Sequence, residues 1–193
     1  MRRPDPPAWH ELLALLDPIH DEAVLFARRI ARSSAEGDDL FQESLLRAAL
    51  KLPSLREPAR FRPWFYQVVV SVHRSRARRG FWRRLVSSDA PEAAAAVATW
   101  AGDDGARAAD ERAGAARAAL ALAQLPAAQR EAIVLFELQE HTVEDIAEIQ
   151  RTSISSVKSR LARGRERLRR FYRDEEAAMA RASTHPMVQE QTP

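Results

Sequence analysis

Apolar side chains recur at intervals of three or four along most of this sequence, which is the spacing of one face of an α-helix. Strand patterns are scarce. β-branched residues cluster only at 68–72 and 133–134, and both clusters fall inside stretches with the helical period. The pattern predicts an all-α protein.

The apolar positions are concentrated in two stretches, at 7–79 and 122–172, and polar breaks at 33–38 and 53–63 interrupt the first. The intervening chain is rich in alanine, glycine and acidic residues, so it has few large side chains to bury. We therefore expect two small domains, each with a modest core. The predicted organisation is a helical domain at 7–86, a flexible linker at 87–116, a second helical domain at 117–173 and a tail at 174–193 that extends the last helix and then frays.

The second apolar stretch predicts a short helix, a tight turn and a long basic helix. Thr142 and Asp145 have the spacing of a capping box, which starts a helix that continues to Ile149. After a break at 150–153, the apolar positions of the next helix are Ile154, Val157, Leu161, Gly164, Leu168 and Phe171. Its opposite face carries Ser156, Ser159, Arg160, Arg163, Arg167 and Arg170. This is the helix-turn-helix arrangement, whose second helix enters the major groove of DNA.

An acidic surface is predicted on the helix that follows the first polar break. Phe41 and Leu45 share one face of this helix, whereas Asp39, Glu43 and Arg47 share another. An acid in the first turn can simply stabilise the positive end of the helix, but Glu43 lies beyond that turn. We therefore expect the two acids to be exposed together as a binding surface.

The next helix combines a buried stripe with a polar face. The stripe consists of Phe65, Val68, Val69 and Val72, and the polar face consists of Gln67, Ser71, Arg74 and Arg78. Cations bind phosphates and apolar pockets accept unstacked bases, so this combination suits a protein that meets opened DNA. The aromatic run at 61–66 fits a core better than a base-binding surface, which leaves the loop before it as the candidate base reader.

Composition narrows the classes of function. The chain has 30 basic and 27 acidic residues, and only Lys51 and Lys158 are lysines, so arginine dominates the positive charge. The planar guanidinium suits phosphates and base edges. The sequence has no cysteine, which excludes disulfides and cysteine-ligated metals. The five histidines lack metal-ligand spacing and no nucleophile or phosphate-binding motif occurs, so we expect no enzyme, cofactor or metal. No apolar run approaches the ~18 residues of a membrane span, so we expect a cytoplasmic protein without membrane insertion.

Both apolar stretches contain motifs that one known family shares. The second stretch contains the motifs Leu125-Pro126, Gln129-Arg130-Glu131, Glu144-Asp145-Ile146-Ala147-Glu148 and Ser156-Val157-Lys158-Ser159-Arg160-Leu161. The first contains the motifs Asp39-Leu40-Phe41-Gln42-Glu43, Leu46-Arg47-Ala48 and Phe61-Arg62-Pro63-Trp64-Phe65-Tyr66. These motifs resemble region 4 and region 2, respectively, of the extracytoplasmic-function sigma factors. They occur in the family's order, with a variable linker between them. Arg151 departs from the pattern at a turn position that is usually glycine, and Val70 and Ser71 stand where arginine and asparagine are frequent.

The resemblance implies a sigma factor that directs core RNA polymerase to specific promoters. It implies polymerase binding through Asp38, Asp39, Gln42, Glu43 and Arg47. It implies binding of the −10 element through Ser54, Leu55, Arg56, Arg60, Arg62, Gln67, Ser71, Arg74 and Arg78. It implies binding of the −35 element through Ser155, Ser156, Lys158, Ser159, Arg160, Arg163, Arg167 and Arg170. An anti-sigma protein that clamps the two domains is a further partner that the family suggests.

The residues leave a second interpretation open. A stand-alone transcriptional regulator could use the helix-turn-helix alone, with a first domain that senses a ligand or a partner. This alternative predicts specific duplex binding without polymerase and gives the acidic surface no role. Dependence on core polymerase separates the two interpretations.

Overall fold

The computed structural model describes residues 6–86 and 105–184. Over these residues the chain forms eight α-helices and three short 3-10 turns, with no strand, which confirms the all-α fold. The first four helices are α1 (Pro6–Leu16), α2 (His20–Ile30), α3 (Ser34–Lys51) and α4 (Phe61–Val86). The second four are α5 (Gly105–Ala123), α6 (Ala127–Glu137), α7 (Val143–Gln150) and α8 (Ile154–Thr184). The turns are Asp17–Ile19, Leu52–Ser54 and Pro58–Arg60.

The first domain is a bundle of α1 to α4 around an aromatic core. Phe26, Phe65 and Tyr66 are completely buried, and the Phe26 and Tyr66 rings meet edge to face at 4.9 Å. The aromatic run at 61–66 thus contributes to packing, as its helical spacing suggested. Gly37 lets α3 approach α2 closely, because a Cβ atom there would overlap the Arg28 backbone.

The second domain packs α6, α7 and α8 around a small aliphatic core. Ile146, Val157 and Leu161 are buried in this core. Gly164 allows α8 to lie directly on α6, because a Cβ atom at this position would come within 2.8 Å of the Ile133 side chain. The spacing of apolar residues in this domain therefore predicted its core, with one exception. Ile154 was placed on the buried face but is 42% exposed, because α8 begins there, at the edge of the domain.

α5 begins inside the segment that was predicted as linker and belongs to the second domain. Its Arg117 forms an ion pair with Glu175 of α8 at 2.6 Å, and the Arg117 guanidinium lies over the Tyr172 ring. α8 itself continues to Thr184, so the tail starts as an extension of this helix. The rest of the predicted linker and the end of the tail lie outside the described residues.

The two domains pack against each other. α4 of the first domain contacts α7 of the second, and α2 contacts α6. The buried apolar residues of both domains consequently form one continuous cluster. The helical periodicity did not predict this arrangement, because each domain pairs its own apolar helical faces within a local stretch of chain.

Candidate nucleic-acid interface

The helix-turn-helix is built by a cap at one end of α7 and a sharp turn at the other. The Thr142 side chain accepts a hydrogen bond from the Asp145 backbone N–H at 3.1 Å, and the Asp145 carboxylate accepts one from the Thr142 N–H, which completes the predicted capping box. Arg151 ends the helix in the left-handed conformation, with φ 50° and ψ 57°. The Arg151 and Thr152 N–H groups then donate to the Glu148 and Ala147 carbonyls. The turn therefore adopts a glycine-type conformation without glycine.

α8 presents a basic and hydroxylated face beside this turn. Ser155, Lys158, Ser159, Arg163, Arg167 and Arg170 are exposed on it, and Ser156 and Arg160 are half-buried. Ser155, Ser156, Ser159, Arg160 and Arg163 line a shallow open concavity. The Arg160 guanidinium donates to the Gln150 side chain at 2.6 Å and is thereby held toward α7. Seven of the eight predicted −35 residues thus keep their polar groups on one open surface.

The acidic surface on α3 differs from the prediction at one residue. Asp39 and Gln42 are exposed, and Asp38 is half-buried in an ion pair with Arg28 at 2.7 Å. The prediction that Glu43 stands exposed beside Asp39 is wrong. The Glu43 side chain is only 23% exposed and is paired with three guanidinium groups.

The cause is that α4 crosses this face of α3. It brings Arg76 to 2.6 Å and Arg79 to 3.2 Å from the Glu43 carboxylate, and Arg47 approaches from the same helix at 2.8 Å. Burial is the largest single effect and would raise the pKa of Glu43, but the hydrogen bonds from Arg76 and Arg79 and the charges of Arg76 and Arg47 together outweigh it, so the pKa lies below its ordinary value. Glu43 therefore joins α3 to α4, and Asp39 remains as an exposed acid.

The loop before α4 and part of the α4 face are accessible. Ser54 and Arg56 are exposed, whereas Leu55 is half-buried against the core. Ser71 and Arg78 are also exposed along α4. These are five of the nine residues predicted to bind the −10 element.

The other four residues of this set bind the second domain. Arg60 pairs with the Glu148 carboxylate, and Arg62 donates to the Gln139 carbonyl at 2.9 Å. The Gln67 amide donates to the Glu148 carbonyl at 3.0 Å. Arg74 donates to the Gln150 carbonyl at 2.9 Å and to the Glu131 carboxylate at 2.7 Å. Every one of these acceptors lies on α6, on α7 or on the loop between them.

Glu131 is the central residue of this contact, and it received no role in the sequence analysis. Its side chain is completely buried and accepts hydrogen bonds from Arg74, from the His73 ring at 3.0 Å and from Gln150 at 3.1 Å. A buried carboxylate requires such partners. A signal existed in the sequence, because Glu131 shares the apolar face of α6 with Val134 and Leu135, where a charge is out of place.

Arg130 forms a second bridge between the domains. Its guanidinium donates to the Ile30 and Ala31 carbonyls at the end of α2, both at 3.1 Å, and to the Ala123 and Leu125 carbonyls at the end of α5 and just after it. A cation at a helix C-terminus satisfies carbonyls that have no partner within the helix. Arg130 thus joins one helix end from each domain.

His141 lies where α4 meets the loop before α7. It is 5% exposed, and its ring meets the Tyr66 ring edge to face at 4.8 Å. Burial, reinforced by the charge of Arg62, lowers the pKa of His141 to about 4. The imidazole is therefore neutral at neutral pH.

The described residues contain neither a metal site nor a membrane-spanning helix. In residues 6–86 and 105–184, no cluster of histidine and acidic side chains could hold a metal ion. Among the same residues, no helix has the length and apolar character needed to cross a membrane.

Comparison with known proteins places both domains in one family of sequences. Residues 17–83 match the family model described as Sigma-70 region 2, and residues 116–168 match the model described as Sigma-70, region 4. The chain is 31% identical over 155 residues to the ECF RNA polymerase sigma factor SigM of Mycobacterium tuberculosis, covering 79% of this chain and 72% of SigM. It is 30% identical over 143 residues to the ECF RNA polymerase sigma factor EcfG of Rhodopseudomonas palustris, covering 74% and 75%.

Solved structures share the fold. The sigma factor RpoE of Bartonella quintana, solved in complex with the anti-sigma factor NepR, is similar with a TM-score of 0.64 and 25% identity over 85% of this chain and 95% of that chain. CnrH, solved in complex with the cytosolic domain of CnrY, is similar in fold, with a TM-score of 0.58 and 21% identity over 84% and 88% of the two chains.

Proposed function

The chain belongs to the extracytoplasmic-function family of RNA polymerase sigma factors, and on that basis we propose which of its surfaces bind the polymerase and which bind each promoter element. As a sigma factor it directs core RNA polymerase to promoters and supports the initiation of transcription. We propose that it does this in the cytoplasm as a binding protein with no catalytic group of its own. A stand-alone regulator is disfavoured, because it would leave the match to region 2 without a purpose.

The polymerase would bind the exposed face of α3. Asp38, Asp39, Gln42 and Arg47 contribute polar groups to this face, and two leucines extend it. Leu46 and Leu50 are 41% and 42% exposed on the same side of the helix. An apolar strip with charged residues at one end is typical of a protein interface. Glu43 keeps this face in position by holding α3 against α4, so its role in polymerase binding is indirect.

The −10 element would bind the loop at 53–60 and the polar face of α4. Arg56, Ser71 and Arg78 are accessible for this role, and Arg60, Arg62, Gln67 and Arg74 lie along the same surface. Guanidinium groups on this face would bind phosphates, whereas Ser54 and Leu55 lie in the loop that would meet an unstacked base.

The −35 element would bind α8. The residues near the start of this helix, Ser155 to Arg163, would read base edges, and the exposed Arg167 and Arg170 would contact phosphates farther along. The observation that carries the proposal is the open hydroxyl and guanidinium face at the start of α8, directly after the left-handed turn at Arg151.

An anti-sigma protein is the third partner that we propose. Its support is the similarity to RpoE of Bartonella quintana, which was solved with the anti-sigma factor NepR. In the present structure the two domains already lie together, as a protein that binds both at once would require.

In vitro transcription with purified bacterial core polymerase and a library of promoters tests the proposal directly. We expect this chain to confer selective initiation and to enrich one promoter class. Footprinting would then show protection of both elements only when core polymerase is present. Specific protection of duplex DNA by the chain alone, with no effect of core polymerase, would instead support the stand-alone regulator.

A further inference from the structure

A cavity of about 220 Å³ lies between the end of α2 and the side of α5. The α5 side of its wall is apolar and consists mainly of small side chains, namely Ala115, Ala116, Ala119 and Leu122. The rest of the wall carries four guanidinium groups, those of Arg28, Arg29, Arg32 and Arg130. No residue that lines the cavity is acidic, and none belongs to the surfaces proposed above to bind polymerase or DNA. The proposed function therefore leaves this cavity without a role.

We propose that the cavity binds a small amphiphilic anion, which is an oxyanion headgroup on a short apolar body. The arginines would hold the headgroup, and the alanine and leucine side chains of α5 would cover the apolar body. An engineered apolar cavity of about 150 Å³ binds benzene, so a cavity of about 220 Å³ has room for roughly nine non-hydrogen atoms. A carboxylate or phosphate on a chain of about seven carbons has this size.

Two consecutive arginines at the end of α2 show which charge is uncompensated. The Arg28 guanidinium pairs with the Asp38 carboxylate at 2.7 Å, and this hydrogen bond raises the pKa of Arg28. Arg29 forms no ion pair with any described residue, and burial lowers its pKa. A half-buried guanidinium without a carboxylate partner destabilises the fold. Arg29 is thus the residue that gains most from an anion in the cavity.

Two further arginines bring their positive charges close together at the same cavity. The pKa of Arg130 is lowered by burial and, to a smaller extent, by the charge of Arg32, although the charge of Glu131 opposes both effects. Arg130 donates only to backbone carbonyls of the described chain, and its buried Nε has no hydrogen-bond partner there. Carbonyls are neutral, so they satisfy donors without neutralising the charge. Three of the four arginines therefore line the cavity without an ion pair to any described carboxylate.

The position of these charges at a helix end has a second explanation that requires no ligand. Cations in the last turn of a helix stabilise its negative end, and Arg28 and Arg29 occupy the last turn of α2. A cation obtains this stabilisation on an exposed surface, however, and does not need to be buried for it. Helix-end stabilisation therefore does not explain why Arg29 is half-buried beside an apolar wall. An amphiphilic anion would match both the charge and the wall.

Isothermal titration calorimetry on the full chain tests the site with small molecules that separate charge from apolar body. Octanoate and octyl phosphate carry an oxyanion on the same short chain, octanol carries that chain without the charge, and acetate carries the charge without the chain. We expect octanoate or octyl phosphate to bind at least about tenfold more tightly than octanol and acetate. The tighter of the two anions then identifies the headgroup as a carboxylate or a phosphate.

Two substitutions with matched controls locate the binding site on the chain. Arg29→Gln removes the uncompensated charge and should weaken binding of the anion about tenfold. Arg169→Gln, which changes an exposed arginine of α8, should leave binding unchanged. Ala119→Leu fills the cavity with little loss of helix propensity and should weaken binding by more than about tenfold. Its control is Ala113→Leu, because Ala113 is exposed on α5 and does not line the cavity.

The opposite results would overturn the inference. Equal affinities for the two anions and octanol would show an apolar cavity that does not select charge. Acetate that binds as tightly as octanoate would show only a surface cation, and a failure of every probe to bind would remove the site. Anion binding that survives Arg29→Gln would show that Arg29 does not hold the headgroup.

Thermal denaturation reports whether each variant is folded. If Ala119→Leu does not fold, the comparison of Arg29→Gln with Arg169→Gln decides. No measurement in this series uses polymerase or DNA, so its result is independent of the proposed function.

Discussion

The two surfaces proposed to bind DNA contain the same kinds of side chain but differ in what those side chains bind. On α4, the Arg74 guanidinium is divided between a buried carboxylate and a backbone carbonyl of the other domain. On α8, Arg163 bonds only to Ser159 of its own helix and remains exposed. An arginine-rich helix is therefore not in itself an available nucleic-acid site. Its availability depends on whether the rest of the chain supplies acceptors for its donors.

Removal of Arg130 should have the largest effect, because it would weaken the contact between the two domains that covers the polar face of α4. Arg130→Ala leaves the carbonyls of Ile30 and Ala31 without a donor at a partly buried interface. Hydrogen bonds to charged groups contribute about 1.5–3 kcal/mol each, so we expect a loss of about 2–4 kcal/mol in the free energy of unfolding. Denaturant titration measures this loss in the free energy of unfolding. Arg165→Ala, which removes an exposed pair, should cost less than about 1 kcal/mol. A similar loss in both variants would contradict the assigned role of Arg130.

Substitutions on α8 should show whether its exposed face reads DNA sequence or only binds phosphates. If Arg163 reads a base edge, Arg163→Ala should cost roughly 1–3 kcal/mol on the matched −35 sequence and little on a mismatched one. Arg170→Ala should weaken binding to both sequences and reduce the salt dependence by about one unit of slope. Binding titrations at several salt concentrations decide this. Equal losses on both DNAs for every substitution from Ser155 to Arg163 would show a nonspecific basic helix.

Acidic pH should weaken the contact between the two domains around His141. The pKa of His141 is lowered to about 4 by burial, and the charged groups that face it are Arg62, Glu22 and Asp145, with Tyr66 against its ring. Because the pKa of His141 in the packed state is below the ordinary value of about 6.5, the packed state is most stable at pH values above 6.5. It loses stability as the pH falls from 6.5 toward 4.

At pH 5.5 the loss is at most about 1.4 kcal/mol, because part of the burial of His141 comes from its own domain. Because the chain has no cysteine, dyes can be attached at Leu13→Cys on α1 and Glu176→Cys on α8, and the distance between the dyes should lengthen over this range. His141→Gln should remove most of the pH dependence. A parent chain whose dye distance is constant between pH 7 and pH 5 would exclude His141 as a contributor to the interface.

Charge reversal on α3 should have the smallest effect. Asp39→Lys places a cation on the proposed polymerase surface, and one exposed charge is worth up to about 1 kcal/mol, or about fivefold in affinity for core polymerase. Asp21→Lys is the control, since Asp21 is also an exposed acid but lies on α2. Glu43→Gln should instead lower stability, because it disrupts the contacts with Arg76 and Arg79. Equal polymerase binding by the parent and the Asp39 variant would remove Asp39 from the interface.

Local pattern was sufficient to predict the all-α fold, the capping box at Thr142, the buried face of α4 and, apart from Ile154, that of α8. It failed where residues distant in sequence meet. Glu43 was predicted as exposed because α3 alone shows it opposite Phe41, and nothing local places Arg76 above it. Glu131 was overlooked because its partners His73 and Arg74 lie in the other domain. The start of α5 was assigned to the linker because its alanines give no amphipathic signal, although helix propensity favours them.

The contact of Arg117 with Glu175 and Tyr172 has a consequence for promoter geometry. Because α5 is joined to the second half of α8 by these contacts, the chain between α4 and α5 is limited to residues 87–104. A chain of that length spans at most about 65 Å when fully extended. If α4 and α8 bind the two promoter elements as proposed, this length limits the spacers that one molecule can bridge. The Arg117–Glu175 ion pair would then restrict promoter spacing although it lies far from the residues proposed to bind DNA.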